Sequence, residues 1–168
     1  MKKFIWDPWV RFTHWSVAVL FIINYFLTEA GSSIHQWVGY SAAVIVLTRL
    51  IWGVFVHSPA RLTRFLPSAS KAIEHVKDVV REGKDEHVGH NPAGAVMIWL
   101  LWLGLLTLGI TGLLMEKWDG VPHWLEDFHE VIANLTFFAA LIHVSAVFVM
   151  KKLTGRSYLQ AMKPFQKN

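Results

Sequence analysis

The chain has 168 residues, of which 54% are hydrophobic and 14% aromatic, and its mean hydropathy is +0.37. This composition is too apolar for an ordinary soluble domain and predicts one small integral membrane domain covering residues 1–168. The formal net charge of +4 does not indicate nucleic-acid binding, because the charged residues cluster outside the apolar segments. The absence of cysteine excludes disulfides, thiolate metal sites and the covalent attachment of c-type haem.

The first apolar segment covers residues 12–28 and carries His14 near its start. It is short for a membrane span, but Trp6 and Trp9 are suited to the membrane interface and extend it. A basic segment before an apolar one also resembles a secretory signal. This one contains His14 and Asn24 and has no small-residue cleavage site. We therefore expect an uncleaved first transmembrane helix.

The second apolar segment covers residues 34–56, with His35 at its entrance and Arg49 deep inside it. Arg49 follows His35 by fourteen residues, and a buried guanidinium group suits a carboxylate partner. The alternative is that the long side chain extends along the helix to the nearer membrane surface.

A polar segment, residues 57–91, separates the second and third apolar segments and contains an amphipathic surface helix at 68–81. The Lys and Arg residues of the chain are concentrated in this segment and at the two termini. They are Arg61, Arg64, Lys71, Lys77, Arg81 and Lys84 in the segment, and Lys2, Lys3, Arg11, Lys151, Lys152, Arg156, Lys163 and Lys167 towards the termini. The opposite loops hold only Lys117. The positive-inside rule therefore predicts cytoplasmic termini, a cytoplasmic 57–91 loop, and outer loops at 29–34 and 115–128.

The third apolar segment covers residues 92–115, and the fourth covers 128–150 and carries His129 and His143. Fourteen residues of α-helix rise about 21 Å over nearly four turns, so both rings project from nearly the same face. A histidine within a membrane span is costly unless it faces the bundle interior and has a partner. The segment therefore predicts two buried sites, one near each membrane surface.

The predicted topology pairs four histidines by depth. His14 lies level with His143 near the cytoplasm, which we call the inner pair, and His35 lies level with His129 near the outside, which we call the outer pair. Two metal centres in an all-α, four-helix membrane bundle account for this pattern, and the alternative is that these histidines are interface residues. The remaining histidines at positions 57, 75, 87 and 123 are expected to be solvated.

Five motifs resemble the bacterial cytochrome b561 family, which includes the b-type cytochrome subunits of nickel–iron hydrogenases. They are Arg11-Phe-Thr-His14-Trp15, His35-Gln-Trp-Val-Gly39, Arg49-Leu-Ile-Trp52, Gly89-His90-Asn91-Pro92 and His129-Glu130 with His143. The resemblance implies four transmembrane helices in the bacterial inner membrane, two haem b groups and electron exchange with quinone in a respiratory chain. His14, His35, His129 and His143 are then the iron ligands.

The resemblance also bears on Arg49, His90 and Asn91. Arg49, level with His143, is expected to bind a propionate of the inner haem. His90 and Asn91 match positions that line the quinone pocket in the related formate dehydrogenase cytochrome subunits. The alternative for Asn91 is a helix start, since Asn-Pro is well suited to one.

Three functions are open at this point. The first is an electron-transfer subunit between quinone and a periplasmic c-type cytochrome, or a dehydrogenase or hydrogenase subunit. The second is a stand-alone superoxide:quinone oxidoreductase, for which a cationic outer surface would be expected. The outer loop is instead acidic, with Glu116, Asp119, Glu126 and Asp127. The third is a helical membrane protein without haem, such as a transporter with histidine relays. The three functions differ in whether the chain by itself is an enzyme, so this question is open at this point.

Overall fold

The computed structural model describes residues 4–87, 89–118 and 120–164 and contains only helices and loops in these ranges. The helices are α1 (Pro8–Phe26), α2 (Ser33–Phe55), α3 (Ala69–Glu82), α4 (Pro92–Lys117), α5 (His123–Thr154) and the single turn α6 (Tyr158–Ala161), with a 3-10 turn at Leu62–Arg64. Four of the charged residues on which the predicted topology and the acidic loop were based lie outside the described residues. They are Lys2, Lys3, Asp119 and Lys167.

The helix ends follow local sequence signals. The Ser32 side chain accepts a hydrogen bond from the backbone N–H of His35 (3.2 Å), and Asn91 accepts one from Gly94 (2.7 Å). Such caps satisfy backbone donors that have no partner within the helix. At the other end, α5 stops at Gly155, which has a positive φ of 69° that glycine adopts without steric cost.

Three helices of the described residues are long and apolar enough to cross a membrane: α2, α4 and α5. Their large apolar side chains are widely exposed, as at Leu103 (63%) and Phe138 (60%), which is the arrangement expected of a lipid-facing surface. The all-helical membrane class predicted from composition is thereby confirmed. The 19-residue α1 is not among the three.

The last long helix begins earlier than the sequence indicated. It starts at His123, not near residue 128, and runs for 32 residues to Thr154. Glu126 lies in its first turn, where a carboxylate interacts favourably with the helix dipole. The connection between α4 and α5 is consequently shorter than predicted, and His123 belongs to the helix rather than to a loop.

The long helices pack unevenly. α4 packs against α2, α3 and α5, and α1 packs against α2. Within the described residues, the backbone of α5 does not pack closely against those of α1 and α2. Side chains bridge this gap: the Tyr25 hydroxyl donates to Asn134 Oδ1 (2.6 Å), and its ring stacks on Phe137 (4.6 Å). The helices that carry the paired histidines are therefore held apart from one another.

The amphipathic helix predicted at 68–81 is present as α3, but its buried face is not the expected one. Ile73, Val76 and Val80 are at least half exposed, whereas Val79 and His75 are buried. The prediction of a solvated His75 is therefore wrong. The reason is that the segment after α3 folds back over His75, which helical periodicity alone does not reveal.

Candidate cofactor sites between the helices

The outer pair joins α2 to α5. The ring centroids of His35 and His129 are 6.2 Å apart, with ring planes inclined by 59°. Nδ1 of His35 lies 3.1 Å from the Thr28 hydroxyl oxygen, and Nδ1 of His129 lies 2.7 Å from that of Thr111. Both histidines therefore have their Nδ1 atoms engaged by threonines.

The two threonines determine which nitrogen of each histidine carries the proton. Their hydroxyl groups donate to backbone carbonyls of their own helices, at 2.8 Å for Thr28 to Asn24 and 2.9 Å for Thr111 to Thr107. Their oxygens are then left to accept from the Nδ1–H groups. The second nitrogen, Nε2, keeps its lone pair, which is the state of a metal-binding imidazole oriented by a second hydrogen bond.

The inner pair joins α1 to α5. The ring centroids of His14 and His143 are also 6.2 Å apart, with planes inclined by 55°. The His14 ring makes an edge contact with Trp15 (5.3 Å). Within the described residues, its Nδ1 is buried without a hydrogen-bond partner. A buried polar atom without a partner is costly, and this nitrogen lacks the orienting hydrogen bond that a threonine provides to each histidine of the outer pair.

The spacing within both pairs fits a shared metal ion. Two imidazoles on one iron, each bound through a bond of about 2.0 Å, have ring centroids about 6.3 Å apart. The observed 6.2 Å in both pairs agrees with this value. The ring planes are inclined by 55° and 59°, so the two rings of each pair do not stack face to face.

The surroundings of the pairs also suit a flat macrocycle. The backbones of α1 and α2 do not approach that of α5 closely, which leaves space between these helices. Beside the outer pair, a Cβ atom on Gly112 would lie 3.8 Å from Cε1 of His129. A side chain longer than a methyl group would occupy the space beside this ring, which glycine leaves open. Residues of both pairs therefore fit a haem with two histidine ligands.

Arg49 is 4% exposed and therefore buried in the protein. Its Nη2 donates to the backbone carbonyl of Ala60 (2.9 Å), and its guanidinium lies over the rings of Trp52 (5.0 Å) and Trp102 (5.5 Å). Within the described residues, Nη1 has no hydrogen-bond partner. A buried guanidinium whose Nη1 has no partner fits a carboxylate such as a haem propionate.

His90 and Asn91 differ in their surroundings. The His90 ring lies between Trp6 (4.3 Å) and Phe65 (4.4 Å), within electrostatic range of Arg49 and the inner pair. The Asn91 amide instead caps α4 and donates through Nδ2 to Asp85 (2.8 Å). His90 is thus the one in the neighbourhood of the inner pair, whereas the polar atoms of Asn91 are engaged within the fold.

Sequence reasoning did not identify the groups that orient the histidines. Thr28 belongs to the connection before α2, and Thr111 lies on α4, eighteen residues before its partner. No spacing rule links residues on different helices, because their neighbourhood depends on how each helix is rotated about its axis.

A family model described as prokaryotic cytochrome b561 matches residues 5–165. The match covers both histidine pairs and every helix of the described structure. No curated protein and no solved structure matches the chain.

Proposed function

We propose that this chain, which belongs to the prokaryotic cytochrome b561 family, is a di-haem membrane cytochrome that transfers electrons between the quinone pool and a periplasmic redox partner. The family implies b-type haem and electron transfer at a membrane. The number of haems, the quinone and the partner, a c-type cytochrome or a dehydrogenase or hydrogenase subunit, are our proposals.

The observation that carries the proposal is the repetition of one geometry at two places. The inner pair and the outer pair have the same centroid separation of 6.2 Å, and each takes one histidine from α5. Because His129 and His143 are fourteen residues apart on this helix, the two sites are separated by about 21 Å of helical rise. This arrangement supports one haem towards each membrane surface.

A haem ligated by two histidines supplies one-electron transfer and has no open iron position for oxygen. The protein groups then have separate roles. Thr28 and Thr111 hold the outer ligands in one tautomer through their Nδ1 atoms. Arg49 offers Nη1 to a propionate of the inner haem and counters its negative charge.

The proposal needs α1 as a fourth membrane span, although this helix is short. His14 on α1 and His143 on α5 can share a haem in the bundle only if both helices enter it. The contact of Tyr25 with Asn134 further supports this arrangement near the opposite end of α1. Together with the basic 57–91 loop, four spans give cytoplasmic termini in the bacterial inner membrane.

We further propose that quinone exchanges electrons beside the inner pair, at His90 and Asn91. The His90 imidazole can take up or release the proton that accompanies quinone chemistry. Its closeness to His14 and His143 supports a quinone site beside the inner pair. The engaged amide of Asn91 makes it a residue that positions the start of α4.

The number of haems tests the proposed function directly. A pyridine haemochrome assay should give about two b haems per purified wild-type chain and about one for His35→Ala. His123→Ala is the matched control, because its side chain is 98% exposed, and it should retain two. A wild-type value near one would contradict the di-haem proposal.

A further inference from the structure

A second cluster of potential ligands lies outside both histidine pairs, where the end of α3 meets the following loop. It consists of His75, Asp85 and His87, whose ligand atoms all lie within 4.8 Å of one another. They line a surface cavity of about 300 Å³ together with Asp78, Lys84 and Glu86. The three carboxylates of this cavity outnumber its single lysine, so its charge favours a cation.

His75 gives the first independent indication of a ligand. Its side chain is 7% exposed, and Nε2 points towards Asp85 Oδ2 at 4.0 Å. This distance is too long for a hydrogen bond. Within the described residues, Nε2 is buried and has no hydrogen-bond partner. Burial lowers the pKa of His75, which favours the neutral imidazole that binds metal ions.

Asp85 is held as a fixed acceptor at the centre of the cluster. Its side chain is 1% exposed, and Oδ2 accepts from Tyr158 (2.5 Å) and Asn91 (2.8 Å). Burial raises the pKa of Asp85, but the hydrogen bonds from Tyr158, Asn91 and His87 outweigh it and bring the pKa to about 2. The carboxylate is therefore ionised at neutral pH and oriented by neighbours, as metal-binding carboxylates are.

His87 completes the cluster on the solvent side. Its Nδ1 lies 2.9 Å from Asp85 Oδ1, and its side chain is 49% exposed. Arg156 donates to the backbone carbonyl of His87 (2.6 Å), which fixes the loop against the segment after α5. The 2.9 Å distance is that of a hydrogen bond when the ring proton of His87 is on Nδ1. When the proton is on Nε2, the Nδ1 lone pair is free to bind an ion beside Asp85 Oδ1, and the exposed edge of the His87 ring provides an entry path.

We propose that His75 Nε2, His87 Nδ1 and Asp85 Oδ1 bind a divalent transition-metal ion of the zinc type. Two imidazoles and one carboxylate form a known ligand set for zinc, in which water fills the fourth position. In a tetrahedral site, ligand atoms are about 3.3 Å apart. His87 Nδ1 and Asp85 Oδ1 are 2.9 Å apart, and His75 Nε2 lies 4.0 Å from the other carboxylate oxygen of Asp85. Since the ligand atoms of the three residues lie within 4.8 Å of one another, side-chain movements can bring them to this spacing.

A bound ion would link three separate parts of the fold. Asp85 is hydrogen-bonded to Asn91, which caps α4, and to Tyr158 on α6. An ion between α3 and this carboxylate therefore ties α3, the start of α4 and the C-terminal segment together. This role is separate from the proposed electron transfer and does not depend on it.

The test uses the full-length protein in detergent, treated with a chelator that is then removed. Titration calorimetry with zinc chloride, together with zinc counting after gel filtration, should give one zinc ion per wild-type chain with micromolar or tighter affinity. His75→Gln and His87→Gln should each weaken binding at least tenfold, and Tyr158→Phe about tenfold because it removes a hydrogen bond to the ligand carboxylate. Unchanged haem spectra show that the variants are folded.

His123→Gln is the matched control, since His123 is an exposed histidine 3.5 Å from the carboxylate of Glu126. It should bind zinc as the wild type does. The proposal is overturned if wild-type affinity is no higher than that of His75→Gln. It is also overturned if only His87→Gln weakens binding, because a surface histidine would then account for the zinc.

Discussion

Gly53 lies directly against the guanidinium group of Arg49. A Cβ atom at position 53 would be 2.7 Å from Arg49 Nη1 and 2.9 Å from Cγ of Leu62, which is closer than such atoms pack. Glycine here gives Nη1, the donor without a partner, the room to keep its position. Gly53 of α2 therefore leaves space for the buried charge of the same helix.

We expect Gly53→Ala to disturb the inner site, because the added methyl group must displace Arg49 or Leu62. The inner haem should be retained less well during purification, with haem content falling from about two towards about one per chain. Ser41→Ala on the same helix is the control and should leave haem content unchanged. Full retention with an unchanged midpoint potential in Gly53→Ala would show that Arg49 does not need its present position.

Arg49→Leu should lower the midpoint potential of the inner haem. Removing a nearby positive charge destabilises the reduced iron relative to the oxidised iron, on the order of tens of millivolts. Arg49→Lys keeps the charge and should lower the potential less. The measurement is a spectroscopic redox titration, with the exposed Arg81→Leu as control. If both midpoints stay at their wild-type values in Arg49→Leu, Arg49 has only a structural role.

Thr111→Val should raise the midpoint potential of the outer haem. The hydroxyl oxygen accepts from His129 Nδ1, which makes the imidazole a stronger electron donor to iron. Losing one hydrogen bond of about 0.5–1.5 kcal/mol corresponds to tens of millivolts for one electron. Thr48→Val, at an exposed threonine of α2, serves as control. A shift confined to the inner haem would contradict the assignment of His129 to the outer pair.

His90→Ala should slow the reduction of the haems by quinol, while the haem spectra stay intact. Stopped-flow mixing of oxidised protein with a quinol measures this rate, and a loss of at least tenfold is expected for a group that transfers the proton. Asn91→Ser keeps a capping side chain for α4 and should have a smaller effect. If substitutions within residues 116–127 slow the reaction and those at His90 and Asn91 do not, quinone exchanges on the outer side.

Hydropathy and residue spacing indicate depth along the membrane normal, because an α-helix rises by a constant amount per residue. The fourteen-residue separation of His129 and His143 and the alternating helix directions led to the same pairs that lie 6.2 Å apart in the structure. The family match over residues 5–165 agrees with the motifs that carried the resemblance. These features depend on order along the chain and are present in the sequence itself.

Lateral neighbours depend on the rotation of each helix and on the path of the loops, and only the tertiary structure decides these. Thr111 meets His129 because α4 turns that face towards α5. His90 lies between Trp6 and Phe65 because three separate segments converge there. His75 was predicted to be solvated and is buried beside Asp85, since an irregular loop with no periodic signal folds back over α3. The sequence pattern therefore indicates the depth of a residue along the membrane normal, whereas packing determines its lateral neighbours.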